Sequence, residues 1–181
     1  PFYPLLVALG FVLVGPHEIV LPLVSALSFF GVVVLTYRIT EGLFDCSSAF
    51  YAALFVLTAP GLLRTGITGY TESTYLFLVL LSIWVVTGDS RRPYLLGLVS
   101  GLAYLTRYNH WFLLAGILYF ALRKLDRDRF FYAVQFTGVF LLVLSPWLVR
   151  NAVWTGNPFY QHHAYLLASH NSINKGFEVF F

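Results

Sequence analysis

Glu72, Arg64, Arg107 and Arg150, with Asn109 and His110 beside Arg107, are the residues of this chain whose types and spacing could do chemistry. A guanidinium grips an oxyanion such as phosphate through a planar fork of donors. A carboxylate at the same place could bind a sugar hydroxyl, a metal or a basic partner such as Arg64. Each residue also has a plainer reading. Arginines near helix ends often snorkel to lipid headgroups, and Glu72, at the start of an apolar stretch, suits the positive end of a helix with Thr71 or a neighbour capping it. Three arginines at successive junctions, with an acid among them, favour a pocket.

The elements that must position these groups are membrane helices. Hydrophobic residues make up 59% of the 181 and charged residues 10%, against about a quarter charged in a soluble domain. Uncharged runs extend over 19–37, 46–63, 73–88, 93–106, 108–122 and 130–149. About 20 apolar residues cross a hydrocarbon core; the first and last runs reach that length, the second comes close, and the middle three fall short. The expected fold is all-α, a polytopic transmembrane bundle of about six spans over 18–150. Residues 1–17 form an interfacial helix before it, and 151–181 an extracytoplasmic loop with the start of a further segment.

If six helices alternate from Glu18, Arg38, Arg91, Arg92, Arg123, Lys124, Arg127 and Arg129 fall on one face. Arg64, Arg107, Arg150 and Lys175 fall on the other. The more basic face is cytoplasmic by the positive-inside rule. The opposite face then holds all five histidines (His17, His110, His162, His163, His170) with Glu18, Glu72, Asn109, Asn151 and Asn157. It reads as the functional, extracytoplasmic face. The stretch 93–122 has basic clusters at both ends and Arg107-Tyr108-Asn109-His110 at its middle, which predicts a hairpin. Arms of about 15 residues reach only ~22 Å, placing the Arg107 turn below the outer membrane surface. Irregular backbone at that depth survives where it lines a cavity or is buried in protein, and a charge there marks a functional site. Gly97 and Gly101 form a small-xxx-small pair for close helix packing. Trp147, Trp154 and Tyr160 suit the interface, and Pro146 with Gly156-Asn157-Pro158 is expected to break the last helix.

Four segments in this order resemble a known family. Pro1-Phe2-Tyr3-Pro4 is similar to the second half of the Pro-Pro-x-Tyr box of lipid-linked-sugar transferases. Tyr70-Thr71-Glu72-Ser73 resembles their acidic box, and Leu105-Thr106-Arg107 the end of a later helix. Pro146-Trp147 through Arg150-Asn151 to Gly156-Asn157-Pro158-Phe159-Tyr160 is the most specific match. The family is the C-type glycosyltransferases, the group of dolichyl-phosphate-mannose protein mannosyltransferases and aminoarabinose transferases. The resemblance covers nearly the whole chain and implies transfer of a sugar from a polyprenyl-phosphate carrier to a protein, glycan or lipid acceptor at the extracytoplasmic face of the cell membrane. Carried over by position, Glu72 is the second acidic site residue, Arg107 a phosphate contact and Arg150 a further one. Tyr3 and Tyr70 of the matched boxes, with Arg64, Asn109 and His110, complete the substrate-binding set. The family's principal acid lies upstream of its Pro-Pro-x-Tyr box. Beginning at Pro1 and holding no methionine, the sequence reads as an internal fragment, not expected to catalyse alone. Tyr108-Asn109-His110 departs from the family's Pro-Gly-like pattern after the helix-end arginine, which leaves acceptor specificity open.

Other classes are disfavoured. No basic patch with interleaved aromatics suggests nucleic acid, and no phosphate-cradling glycine loop suggests direct use of a nucleotide sugar. Cys46 is single, so it has no disulfide partner. The opening stretch lacks a basic start and a small-residue cleavage site, so it is no signal peptide. His162, His163 and His170 have the types to hold a divalent metal, the one cofactor left open. Exposed loop histidines without a metal are the commoner case. A transporter or lipid flippase is the rival reading; internal repeats and midplane polar sites would mark it, whereas here polar residues gather at one face.

Overall fold

Apolar runs become helices where a cap, a proline or a glycine marks their ends. The computed structural model describes residues 1–88, 92–123 and 129–156. Among them are eight helices and no strand: α1 (Phe2–Val14), α2 (Val20–Leu43), α3 (Cys46–Thr58), α4 (Pro60–Ile67), α5 (Thr71–Thr87), α6 (Pro93–Thr106), α7 (His110–Arg123) and α8 (Arg129–Thr155). The all-α expectation holds, and the helices follow the uncharged runs closely. Asp45 caps α3, accepting from the amides of Ser47 at 3.1 Å and Ser48 at 3.3 Å. Pro60 and Pro93 start α4 and α6, where a missing amide costs nothing.

Two helices, α2 and α8, are long and apolar enough to cross a membrane. The run 46–63, expected as one near-complete crossing, is instead α3 and α4 bent by 63° at a break. Pro60 is the cause: it pushes the residue before it out of the helical region, and Ala59 is extended at φ −67°, ψ 113°. With that pair taken as one crossing, the described residues offer up to three spans by length and composition; α1, α5, α6 and α7 are shorter apolar helices. Six crossings are therefore more than helix length alone supplies. Large apolar side chains such as Phe30, Phe55, Phe112, Leu142 and Val153 are exposed on these helices, as fits an integral membrane protein.

Pro146 does not break α8, which runs on past Arg150 to Thr155. A lone proline removes one hydrogen bond, and apolar membrane helices tolerate that. The stop is Gly156, at φ +72°, whose amide bonds the Ala152 carbonyl at 3.0 Å, a left-handed glycine end. Asn157 to Phe181, with the expected outer loop, lie outside the described residues.

The chain forms two compact units, Pro1–Val143 and Leu144–Phe181. In the first, α2 packs against α1, α3, α4 and α5, and α5 packs in turn against α6 and α7. α6 is the most buried element, with Leu96, Gly97, Val99, Ser100, Gly101, Ala103, Tyr104 and Leu105 all inside. The Gly97/Gly101 pair does what its spacing predicts. A Cβ on Gly97 would lie 2.6 Å from the Phe136 carbonyl oxygen, and one on Gly101 2.9 Å from Val143. The hairpin of α6 and α7 has arms of 14 residues each, about 21 Å long.

Candidate active site at one end of the helix bundle

The turn between α4 and α5 sets the position of Glu72. Thr68 closes α4, Gly69 turns the chain at φ +75°, and Tyr70 is extended before α5 begins. Gly69 is required twice over: its φ is left-handed, and a Cβ there would press on Leu21, 3.1 Å from its Cβ and 3.4 Å from its backbone carbon. No side chain caps α5, so the expected cap from Thr71 does not form. Glu72 sits in the first helical turn, where the helix dipole favours a carboxylate.

The turn between α6 and α7 brings Arg107 to the same place. Arg107 ends α6 in an extended conformation, with its amide on the Ala103 carbonyl at 2.9 Å. Its Nη2 lies 3.1 Å from Glu72 Oε1. Thus Glu72 has a basic partner, and it is Arg107, not Arg64. Both side chains remain open to a ligand, 44% exposed for Arg107 and 40% for Glu72. Arg64 is exposed near the end of α4, and no ion pair is found for it among the described residues.

His110 opens α7 with its amide on the Arg107 carbonyl at 3.2 Å, and its fully buried ring meets Tyr75 edge-on at 5.9 Å between centroids. Neither ring nitrogen has a hydrogen-bond partner. A buried polar atom left unpaired costs about 1–3 kcal/mol, so this imidazole sits in a place that favours an added donor or acceptor. Asn109 is exposed in the intervening turn, and Tyr70 is half exposed before Glu72.

Tyr3 is placed differently from the other expected contacts. It is buried, and its hydroxyl donates to the Gly69 carbonyl at 2.6 Å. Ser25 of α2, fully buried 3.2 Å from the same hydroxyl, donates to the Tyr70 carbonyl at 3.0 Å. Nearby, Ser73 donates to Thr65 at 3.2 Å, and Ser28 meets Thr74 at 2.9 Å. Ser25 was not among the sequence candidates. The available signal was a pair of serines, Ser25 and Ser28, on one face of an otherwise apolar run.

Arg150 belongs to the second unit. Its guanidinium lies over the indoles of Trp147 and Trp154, at 4.7 and 5.7 Å from the ring centroids, a cation–π arrangement within one helix. No group of three His, Cys, Asp or Glu side chains that could hold a metal occurs among the described residues; His162, His163 and His170 lie outside them.

The structure thus brings together an acid and an arginine from two separate turns on a scaffold of apolar helices. No curated protein and no solved structure matches the chain. The sequence profile of the dolichyl-phosphate-mannose-protein mannosyltransferase family does match, over residues 1–149. That stretch holds both partners of the Glu72–Arg107 pair and the turns that present them, and the chain belongs to this family.

Proposed function

We propose that this protein is a membrane glycosyltransferase that moves a sugar from a polyprenyl-phosphate carrier to a hydroxyl of a protein, glycan or lipid acceptor. The observation that carries the reading is the Glu72–Arg107 pair, formed between residues far apart in the chain at 3.1 Å and left open to solvent. Arg107 has more donors than Glu72 can occupy. One edge of the guanidinium can hold the carboxylate while another takes a phosphate oxygen of the carrier. In the transfer, the bond between the sugar's anomeric carbon and the carrier phosphate breaks, and the acceptor oxygen bonds to that carbon. The acceptor's proton goes to a carboxylate, and the carrier phosphate leaves with the electron pair. Arg107 stabilises the charge that builds on that phosphate, and Glu72 supplies this chain's carboxylate at the reacting end. Asn109 and Tyr70 on the two turns, His110 at the start of α7 and Arg64 near the end of α4 are proposed to contact sugar or acceptor. Arg150 is proposed as a further phosphate contact, on the strength of the motif match.

Orientation follows from charge. The reacting end is extracytoplasmic, because the more basic set, from Arg38 to Arg129, falls at the other end under six alternating crossings. The site would then open on the outer face of the cell membrane.

The test is transfer of radiolabelled mannose from dolichyl phosphate mannose to protein in membranes carrying the full-length chain. Glu72→Gln and Arg107→Ala are each expected to lower transfer by about a hundredfold or more, the scale of losing one charge-stabilising donor. Normal transfer by both variants, correctly folded, would overturn the assignment. Orientation has its own test. Cys46, exposed at the opposite end of α3 from the site, should react with a membrane-impermeant maleimide only after permeabilisation when it is the sole cysteine. Labelling in sealed cells would reverse the topology.

A further inference from the structure

We propose that Tyr3 and Ser25 are positioning residues that hold the Glu72 turn against α1 and α2, and that neither contacts substrate. This rests on the reading of Glu72 as the reacting carboxylate.

Proton accounting gives the clamp its form. A tyrosine and a serine hydroxyl carry one proton each. Tyr3 spends its proton on the Gly69 carbonyl at 2.6 Å, and Ser25 spends its own on the Tyr70 carbonyl at 3.0 Å. Their 3.2 Å contact with each other therefore has no proton left while both carbonyl bonds stand. The clamp is thus two bonds from two helices to the consecutive carbonyls of Gly69 and Tyr70, directly ahead of Thr71-Glu72. It meets a backbone that needs holding: Gly69 is left-handed, and α5 starts with no side-chain cap. Leu21, one turn before Ser25 on α2, lies against the place where a Cβ of Gly69 would be. Burial makes the bonds count. Tyr3 is 7% exposed and Ser25 0%, and a hydrogen bond at such a site is stronger than one in water. Tyr3 also packs with Val7 and Val20, so α1 is tied to the turn by both its ring and its hydroxyl. With the hydroxyl on a backbone carbonyl and the ring in an apolar cluster, no face of Tyr3 is left for a sugar.

The consequence is a division of labour. The α4–α5 turn that carries Glu72 is fixed from α1 and α2, whereas Arg107 rides on the α6–α7 turn, which the clamp does not touch. Loosening the clamp should move the carboxylate and leave the guanidinium in place. A displacement of about 1 Å at a reacting group can cost a hundredfold in rate.

The experiment compares Tyr3→Phe, Ser25→Ala and, as the matched control, Ser28→Ala, which removes a partly buried serine hydroxyl one turn along α2. Two readouts are taken on the full-length protein in membranes: amide hydrogen exchange over Gly69–Ser73, and mannose transfer from dolichyl phosphate mannose resolved into kcat and donor KM. Tyr3→Phe and Ser25→Ala should each raise exchange in that turn by about fivefold or more, the scale of one lost buried bond. They should lower kcat by about tenfold or more with donor KM changed less than about threefold; Ser28→Ala should do neither. Wild-type exchange in both clamp variants would overturn the proposal. So would a raised KM at unchanged kcat in Tyr3→Phe, which would make Tyr3 a substrate contact. Should Glu72→Gln leave transfer intact, the functional reading falls, yet the exchange result still decides whether the clamp exists.

Discussion

Two ion pairs on this chain have similar lengths and opposite origins. Arg38 and Glu41 sit three residues apart on α2, 3.3 Å between their charged atoms, with side chains 63% and 39% exposed. Glu72 and Arg107 lie 3.1 Å apart on different elements. The first is a consequence of helical spacing alone. The second needs two turns to arrive at one end of the bundle. As stability devices both are minor, since exposed pairs contribute about 0.2–1 kcal/mol. What separates them is the structure behind them. Around the Glu72 turn stand buried hydroxyls from α1, α2 and α5, and three residues after Arg107 comes a buried histidine whose ring nitrogens have no hydrogen-bond partner. Beside Arg38–Glu41 stands Tyr37 of the same helix, whose hydroxyl reaches Glu41 at 3.5 Å and the exposed Cys46 at 3.2 Å. That difference in setting is what favours Glu72 and Arg107, over Arg38 and Glu41, as the proposed ligand-binding pair.

The comparison can be broken most directly by removing charge at both places. Loss of transfer by about a hundredfold in Glu72→Gln or Arg107→Ala, against a change of less than about twofold in Arg38→Ala or Glu41→Gln, is the expected outcome of the mannose-transfer assay. Equal effects would erase the distinction. Exchanging the charges, Glu72→Arg with Arg107→Glu, sharpens it. The pair can re-form, but the arginine proposed to bind phosphate then rides on the α4–α5 turn, so transfer should stay lost while the thermal unfolding midpoint stays close to wild type.

A smaller effect is expected at the scaffold. Gly97→Ala places a methyl 2.6 Å from a backbone oxygen, and overpacking of this kind costs typically about 1–3 kcal/mol. Gly101→Ala meets Val143 Cβ and Cγ1, both at 2.9 Å. A rotamer change moves only Cγ1, so the backbone must still shift, but the approach is wider than at Gly97 and the loss should be the lesser. Thermal unfolding in detergent measures both.

The smallest effect belongs to the far end. Hydrogen bonds from the Ser48 side chain and amide, then from Ser47, hold the Asp45 carboxyl below the usual carboxylate range. Its folded value is depressed, so the stabilisation is complete above the unfolded value of about 3.9. It is lost as the pH falls through the lower folded value. Asp45→Ala should speed amide exchange at Ser47 and Ser48 at neutral pH and leave transfer unchanged. Below the folded value, wild type and variant should exchange alike.

Much of the fold was legible because a membrane helix writes itself in composition. The uncharged runs located five of the eight described helices one to one and the apolar opening stretch a sixth, while the run 46–63 gave one expected element where two form. The basic ends of 93–122 with Arg107 at its centre predicted the α6–α7 hairpin. The glycine pair predicted close packing on α6, and motif order pointed to the family. Local chemistry that works against a pattern was harder to weigh. Pro60 bends the second run at Ala59, whereas Pro146 leaves α8 whole, because only a folded environment decides whether a missing amide can be absorbed. The candidate site was legible as a list of residue types on one face. Which of them meet was settled by tertiary structure: Arg107 and not Arg64 reaches Glu72, Tyr3 bonds the Gly69 carbonyl, and Ser25, a serine in an apolar run, bonds the Tyr70 carbonyl. Periodicity and charge count fix which end of a helix a residue occupies. Its partner across the bundle depends on how helices cross and where turns point, and those follow from side-chain packing that no single run of sequence contains.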